Sequence, residues 1–206
     1  TAIGLNSGIT GAEFVGAQAL QSDGTWTHLA GRATINGGPP TWKETPPLFS
    51  SFWSAATTGF ALNSPRQVAV DAAGNLYVAD YNNNRVVKYD RWGTFILTWG
   101  VAGSGDGQFS GPIGVAVDRS TNDVYVTDSG NNRVEKFTSA GAFLLKWGGF
   151  GTGPGQFDQT QHVAVDAGGH VYVVDQRNHR IEKFTSAGVF EAQLANAALA
   201  FPYGIA

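Results

Sequence analysis

The sequence predicts an all-β fold, a β-propeller built from four-stranded antiparallel blades, and three observations indicate this. A segment of the chain is present in three similar copies, at residues 67–100, 114–148 and 162–194. The aspartates that follow the first apolar run of each copy, Asp71, Asp118 and Asp166, lie 47 and 48 residues apart. Each copy contains four short apolar runs, and four runs at this period are typical of a propeller blade.

Composition agrees with many short strands and excludes several kinds of site. The chain has 206 residues with 28 glycines, and only 14% of its residues are charged. It contains no cysteine, which excludes a disulfide framework, a thiolate metal site and a cysteine nucleophile. The net charge of −3 argues against a sequence-independent grip on nucleic acid, which needs a basic face. Methionine is absent, even at position 1, so we expect a processed or excised form, and no apolar run reaches the length of a transmembrane helix.

Residues 1–60 do not match the repeat, and we treat them as a separate N-terminal segment. Strands are predicted at residues 13–20, 25–30 and 32–35, with a hairpin turn at Asp23-Gly24. Five aromatic residues in this segment are expected to cover a core or an interface: Trp42, Phe49, Phe52, Trp53 and Phe60. The segment is either a degenerate blade or an extension that packs on the propeller or on a partner.

The repeats divide residues 61–206 into blades at 61–109, 110–157 and 158–200, with a partial blade at 201–206. The first run of each blade is short and apolar, as expected of an innermost strand that is buried on both faces. The phenylalanine that ends the linkers at residues 103–109 and 151–157 is expected to fill the core between blades. Residues 201–206 resemble residues 111–116, the beginning of a first strand. Three blades cannot close a ring, so the N-terminal segment, another chain or further sequence is expected to complete it.

An aspartate ends the second run of each blade and an arginine follows five residues later. The pairs are Asp80 with Arg85, Asp128 with Arg133, and Asp175 with Arg180. We expect each pair to meet across a hairpin, with bidentate geometry where the strands allow it. The asparagine-rich loops between them favour left-handed backbone, and Gly93, Gly141 and Gly188 are expected to have positive φ in the next turn.

The blade motifs resemble the NHL-repeat family of β-propellers. The similarity rests on P-x-G-V-A-V-D at residues 112–118, x-V-Y-V-x-D at 123–128 and N-N-R-V-x-K-F at 131–137, together with the Trp-Gly tail and the Gly-rich linker. It covers residues 61–206 and lacks the Trp-Gly tail in blade three. The resemblance implies a ring of around six blades. Members include protein-binding and RNA-binding modules, extracellular sensor domains and a few enzymes such as the amidating lyase, and related propellers include antibiotic-opening lyases and lactonases.

The resemblance also implies a ligand face, formed where the first strand of a blade begins and the second strand ends. We call this edge the rim face. The residues predicted on it are Arg66, Gln67, Tyr81, Asn83, Ile113, Ser129, Gln161, His162, Gln176, Arg177, His179 and Tyr203. Blade three is distinctive there because it brings two histidines and an arginine to one rim. His162 replaces Gly114 and Gln67 of the other blades and is the residue considered as a ligand for a divalent metal in the channel.

The sequence leaves three functions open. We expect a non-catalytic, extracytoplasmic scaffold (secreted, periplasmic or on the cell surface) that binds a protein or glycan partner or packs as a subunit of an envelope assembly. We expect this scaffold to need no cofactor. The alternative is a metal-dependent lyase or hydrolase of the amidating-lyase or lactonase type. A third function, RNA binding, is disfavoured because Arg66, Arg91, Arg119 and Arg177 scatter over both faces.

Overall fold

The structure is a computed structural model that describes residues 13–20, 26–34, 41–43, 61–195 and 199–205. The chain divides into two compact units, Thr1–Phe52 and Trp53–Ala206. Strands dominate the described residues, with three-residue 3-10 turns at Tyr81–Asn83 and Ser129–Asn131. Within these ranges, no helix combines the length and apolar character needed to cross a bilayer.

The N-terminal unit contains a three-stranded antiparallel sheet. Its strands are β1 (Glu13–Leu20), β2 (Trp26–Thr34) and β3 (Thr41–Lys43), in the order β1-β2-β3. Two separate strands were expected where β2 is a single strand, and that prediction was wrong. The register against β1 shifts between Val15 and Ala17, whose partners are Arg32 and Leu29, so β2 contains a bulge at this point and continues through it. The predicted turn at Asp23-Gly24 and the aromatics Phe49, Phe52, Trp53 and Phe60 lie outside the described residues.

The second unit contains three four-stranded antiparallel sheets, one for each predicted blade, which confirms the predicted fold class. In every sheet the strands lie in sequence order from the innermost to the outermost. Blade one consists of β4 (Pro65–Val70), β5 (Leu76–Asp80), β6 (Arg85–Tyr89) and β7 (Phe95–Trp99). Blade two consists of β8 (Pro112–Val117), β9 (Val124–Asp128), β10 (Arg133–Phe137) and β11 (Phe143–Gly148). Blade three consists of β12 (Thr160–Val165), β13 (Val171–Asp175), β14 (Arg180–Phe184) and β15 (Phe190–Ala195).

The core lies between blades rather than within them. We call the face that carries the tail tryptophan in blades one and two the Trp-side face of a blade. The opposite face, which receives the linker phenylalanine in blades two and three, is the Phe-side face. Between blades one and two, Tyr77 and Trp99 on the Trp-side face of blade one meet Phe109 and Phe137 on the Phe-side face of blade two. The next interface repeats this with Tyr125, Trp147, Phe157 and Phe184. Phe109 and Phe157 are fully buried, which confirms that the linker phenylalanines fill the inter-blade core.

The turn glycines complete this interface. Gly93, Gly141 and Gly188 have φ of 87°, 80° and 77°, as predicted. A Cβ on Gly141 would lie 3.0 Å from the Trp99 ring, and one on Gly188 would lie 2.8 Å from the Trp147 ring. Each tail tryptophan therefore packs against the turn glycine of the following blade, where a larger residue would be excluded by both space and backbone conformation.

The prediction that every innermost strand is buried on both faces was wrong for blade one. Val68 in β4 is 48% exposed, whereas Val115 at the same position of blade two is fully buried. At the other flank, Leu194 is 57% exposed at the position that Trp147 occupies in blade two. The difference follows from position: among the described residues, blade two has a neighbouring blade on each side, whereas blades one and three each have one on a single side.

A buried polar network ties each linker to the third strand of the blade that follows. Asp128 accepts hydrogen bonds from the Arg133 Nε at 2.9 Å and from the Ser110 N–H at 2.7 Å. Glu135 pairs with Arg133 and accepts a hydrogen bond from the Gly107 N–H at 2.9 Å. The remaining guanidinium nitrogens of Arg133 donate to the carbonyl oxygens of Ser104, Gly105 and Gln108. Blade three repeats the arrangement with Asp175, Arg180 and Glu182.

This geometry corrects the expected bidentate pairing of aspartate and arginine. One carboxylate oxygen of Asp128 or Asp175 receives the arginine Nε, and the other receives a backbone N–H. The arginine fork instead donates to carbonyl oxygens of the linker and holds the linker against the blade. Burial raises the pKa of Glu135 and of Glu182 to about 7, against the opposing effect of the charge of Arg133 and of Arg180.

Substitution of Phe157 by alanine is expected to lower the free energy of unfolding by about 3–5 kcal/mol, because it leaves a cavity at the centre of an inter-blade core. Urea unfolding followed by tryptophan fluorescence measures the change. Phe150→Ala is the matched control, since this side chain is 74% exposed and its loss should change stability by less than about 0.5 kcal/mol. Equal effects of the two substitutions would contradict the inter-blade core.

The buried glutamates predict a pH-dependent stability. Because their pKa is higher in the folded than in the unfolded chain, the folded state binds more protons between about pH 4.5 and pH 7. The free energy of unfolding should therefore fall as pH rises through this window. In the double variant E135Q/E182Q the fall should be smaller, by up to about 3 kcal/mol per glutamate. Urea unfolding across this pH range measures the change, with substitution of the exposed Glu191 by glutamine as the control. If the free energy of unfolding fell with pH as steeply in the double variant as in the wild type, the raised pKa of these glutamates would be contradicted.

Candidate functional site

The rim face is formed by the register of the first two strands in each blade. The first residue of strand one pairs with the last residue of strand two: Pro65 with Asp80, Pro112 with Asp128, and Thr160 with Asp175. The loop that enters strand one and the loop that leaves strand two therefore open at the same edge of the sheet, as the sequence predicted. The aspartates of the polar network described above lie at this edge, so the network also holds the rim loops in position.

The loops that leave strand two are short and fixed. In blades one and two they form 3-10 turns that end in a left-handed asparagine, Asn84 with φ of 50° and Asn132 with φ of 52°. These asparagine side chains accept the N–H of the residue before the next blade's first strand: Gly111 donates to Asn84 Oδ1 at 2.8 Å and Gln159 to Asn132 Oδ1 at 2.7 Å. Each rim loop is thereby linked to the following blade.

On blade one, an arginine and a tyrosine stack at the rim. The Arg66 guanidinium carbon lies 4.7 Å from the centre of the Tyr81 ring. A Cβ on Gly111 would lie 2.7 Å from the same ring, so the glycine allows Tyr81 to pack against the start of blade two. Asn83 is exposed, and its amide nitrogen donates to Asp80 Oδ2 at 2.8 Å. Arg66, Tyr81 and Asn83 therefore share one rim surface with defined geometry.

Three residues predicted on the rim are buried. Ile113, Ser129 and Gln161 are 7%, 8% and 2% exposed, which differs from the accessible position expected for them. Gln161 shows why: its carbonyl accepts a hydrogen bond from Thr127 Oγ1 and its side chain donates to Gln176 Oε1 at 3.1 Å. The neighbouring inner strands are so close that this layer is interior.

Gln67 also acts between blades rather than at the rim. Its side-chain nitrogen donates to the Val163 carbonyl at 3.1 Å, and its side-chain oxygen accepts from the Val115 N–H at 3.2 Å. It therefore joins the innermost strands of all three blades. Gly114 allows the innermost strands of blades two and three to lie this close, because a Cβ there would lie 2.7 Å from the Gln161 carbonyl oxygen.

Blade three places its two histidines against the residues that follow it. The His162 ring lies 6.3 Å from the Tyr203 ring, edge to face, and burial lowers the pKa of His162. The Nδ1 atom of His179 accepts a hydrogen bond from the Phe201 N–H at 3.0 Å, and the two rings are 4.5 Å apart. Tyr203 is 58% exposed. His162 and His179 thus share contacts with one short segment.

The remaining rim charge of blade three is outside this cluster. Arg177 is exposed and lies 3.5 Å from Asp158, at a distance where solvent weakens the pair. Within the described parts of the chain, no three His, Asp or Glu side chains come together in a way that could hold a metal ion. The neighbour of His162 identified above is the aromatic ring of Tyr203. The role of His162 as a metal ligand stays a prediction.

One equivalence between rim residues of the three blades was not predicted from the sequence. Asn84, Asn132 and His179 occupy the same left-handed position in the three blades, with His179 at φ of 54°. Their equivalence could have been found from the spacing to Arg85, Arg133 and Arg180, which each follow directly. Phe201 was assigned to the partial blade without any expectation for its side chain, which is exposed at the rim beside His179.

Comparison with known proteins assigns the repeat. A family model for the NHL repeat matches residues 62–89, 109–137 and 161–184. No curated protein sequence matches the chain. Among solved structures, a chain of a nidogen/laminin complex is similar with a TM-score of 0.56 at 21% identity, covering 86% of this chain and 61% of that one. This chain therefore spans about three fifths of the length of that relative.

Two further structures share the architecture. A catalytically inactive variant of virginiamycin B lyase from Staphylococcus aureus, solved with quinupristin, has a TM-score of 0.55 at 13% identity, covering 93% of this chain and 67% of that one. Hydrazine synthase from Kuenenia stuttgartiensis has a TM-score of 0.53 at 14% identity, covering 66% and 37%. At these identities the similarity concerns the fold. The family model places one NHL repeat in each of the three blades, so the chain is an NHL-repeat protein in these segments, and its fold is that of a β-propeller.

Proposed function

We propose that this chain is a non-catalytic binding and assembly scaffold that acts outside the cytoplasm, and that its rim face contacts a protein or glycan partner in an envelope complex. The observation that carries the proposal is the presence of two groups of arginine and aromatic side chains at the rim. Arg66 stacks on Tyr81 at one end of the rim, and Arg177, Phe201 and Tyr203 are exposed at the other.

Rigid loops favour binding because little conformational freedom is lost when a partner docks. The turn at Tyr81–Asn83 is held by Asp80 and by the hydrogen bond from Gly111 to Asn84. The corresponding turn of blade two is held by Asp128 and Asn132 in the same way. The partner would therefore meet a surface whose backbone is already ordered.

The exposed side chains are of the types that dominate protein interfaces. Tyrosine and arginine are enriched at interface hot spots, because each combines a large contact area with directional hydrogen bonds. Protein binding is the first choice for the partner, and the similarity to a chain of the nidogen/laminin complex supports it. Aromatic rings such as that of Tyr203 can also stack on sugar rings, so a glycan is the second kind of partner to be tested. The location outside the cytoplasm rests on the resemblance to a family whose members include extracellular sensor domains.

Lyase activity is a second candidate, and His162 favours it. The residue lies on the innermost strand β12, and the lowered pKa keeps its imidazole neutral near pH 7, the form that accepts a proton. The similarity to virginiamycin B lyase supports testing quinupristin as a substrate.

The test compares three immobilised proteins: the wild type, the rim variant R66A/Y81A/Y203A, and the control variant W92A/V189A. The control removes two exposed apolar side chains, 57% and 61% accessible, from turns between strands three and four at the opposite edge. Each protein is cross-linked chemically in culture medium and in envelope extract of the source cells, and a glycan array is probed in parallel. We expect a partner that the wild type and the control retain and that the rim variant loses.

Two results would contradict the scaffold function. The first is a partner that the rim variant retains as well as the wild type does, which would exclude the rim face. The second is consumption of quinupristin by the wild type and not by His162→Ala, which would assign the lyase activity instead. Circular dichroism of every variant checks that the blades remain folded.

A further inference from the structure

A lysine occupies the same position on the third strand of each blade, opposite a tyrosine of the second strand. The pairs are Lys88 with Tyr77, Lys136 with Tyr125, and Lys183 with Tyr172. Each lysine nitrogen lies over the ring of its tyrosine, at 4.8, 5.2 and 6.0 Å from the ring centre. The three lysines therefore share a backbone position and an aromatic neighbour, and they differ in their acidic partner.

The acidic partner of each lysine depends on its own blade. In blade two the residue directly before the second strand is Asp123, and its carboxylate lies 2.8 Å from the nitrogen of Lys136. In blade three the nitrogen of Lys183 lies 3.2 Å from Glu191 on the outermost strand. In blade one the residue at the position of Asp123 is Asn75, whose amide carries no charge. This substitution removes the ion pair that blade two has.

Among the described residues, Lys88 has no carboxylate within ion-pair distance. The carboxylate of Asp71 in the adjacent turn already accepts hydrogen bonds from the Asn75 side chain at 2.8 Å and from the Tyr77 hydroxyl at 3.1 Å. The nitrogen of Lys88 donates instead to the carbonyl oxygen of Ser139 in blade two, at 3.0 Å. Lys88 is 9% exposed, so its amine is largely removed from water beside a neutral acceptor.

This environment favours the neutral amine of Lys88. Burial lowers the pKa of Lys88, against the opposing effect of the Asp71 charge. Burial acts in the same direction on Lys136, but the interactions with Asp123 and Tyr125 outweigh it, so the pKa of Lys136 is raised. At a given pH a larger fraction of Lys88 is therefore neutral, and the neutral amine is the form that acts as a nucleophile.

The surroundings of Lys88 also fit a neutral acylated side chain. An acylated lysine keeps one N–H, which can still donate to the Ser139 carbonyl. Since Lys88 has no ion-pair partner among the described residues, loss of its charge leaves no carboxylate there without a counter-ion. Loss of the charge of Lys136 would leave Asp123 unpaired. Acylation is therefore more compatible with the local contacts at Lys88 than at Lys136.

We propose that Lys88 is a site of N-acylation that reacts, without an enzyme, with small activated acyl compounds of the acyl phosphate class. The lysine nitrogen attacks the carbonyl carbon of the donor, and the bond between that carbon and the phosphate oxygen breaks. The amine proton leaves with the phosphate as hydrogen phosphate, and an amide remains. The donor must be small, because only 9% of the residue is exposed.

The probe is acetyl phosphate, applied to the folded protein at pH 8. The protein is then denatured and its remaining amines are labelled completely with deuterated acetic anhydride. The ratio of light to heavy acetyl groups at each lysine, measured by mass spectrometry, gives its reactivity in the folded state. We expect Lys88 to be at least about tenfold more reactive than the equivalent Lys136, because a difference of one pKa unit changes the neutral fraction about tenfold.

An Asp123→Asn variant tests the cause of the difference. It gives Lys136 the uncharged neighbour that Lys88 has, so the reactivity of Lys136 should rise towards that of Lys88. Lys146 is the control in the same protein, because it pairs with Asp106 on the surface and should keep its reactivity. With rising pH, the reactivity of Lys88 should also level off at a lower pH than that of Lys146.

Three results would overturn the proposal. The first is a reactivity of Lys88 in the wild type that is no greater than that of Lys136. The second is an unchanged reactivity of Lys136 in the Asp123→Asn variant. The third is acetylation of Lys88 that accelerates in low concentrations of urea, which would show that the amine reacts from a locally opened state and not in the folded blade.

Discussion

The packing of the Trp-side face of one sheet against the Phe-side face of the next is the interaction on which the rest of residues 61–205 depends. A four-stranded sheet with two apolar faces cannot bury both by itself, so each blade is stable only in contact with its neighbours. Phe109 and Phe157 lie at the centre of the two interfaces, and the tail tryptophans Trp99 and Trp147 close them at the outer side. The turn glycines Gly141 and Gly188 leave space for these tryptophans. Since rim loops are attached to strand ends, this packing also sets the positions of the residues at the rim.

The polar network holds the linkers that precede blades two and three. Arg133 and Arg180 fix the linkers by donating to their carbonyl oxygens, and they do so while paired with Asp128 and Asp175. A buried pair of this kind contributes little net stability, but loss of one partner leaves an uncompensated charge and is costly. The network is therefore better understood as a constraint on geometry, which the apolar interface then stabilises.

The sequence alone predicted what depends on local pattern. The period, the four strands of each blade, the positive φ of Gly93, Gly141 and Gly188 and the burial of Phe109 all follow from spacing and residue type, and all are observed. What it did not predict depends on neighbours. The exposure of Val68 reflects an uncovered face, the burial of Ser129 and Gln161 reflects the closeness of the inner strands, and the arginine geometry reflects linker carbonyls whose direction no side-chain pattern reveals.

Hydrogen exchange of backbone amides tests most directly whether inter-blade packing determines the stability of this fold. Strands β8 and β9 of blade two are buried on both faces, whereas β4 of blade one has one open face although its sequence is nearly the same. If the interfaces provide the stability, amides of β8 and β9 should exchange with the free energy of global unfolding, and those of β4 and β5 should exchange faster through local opening. Equal protection of blades one and two, or slower exchange in β4 and β5, would contradict this account.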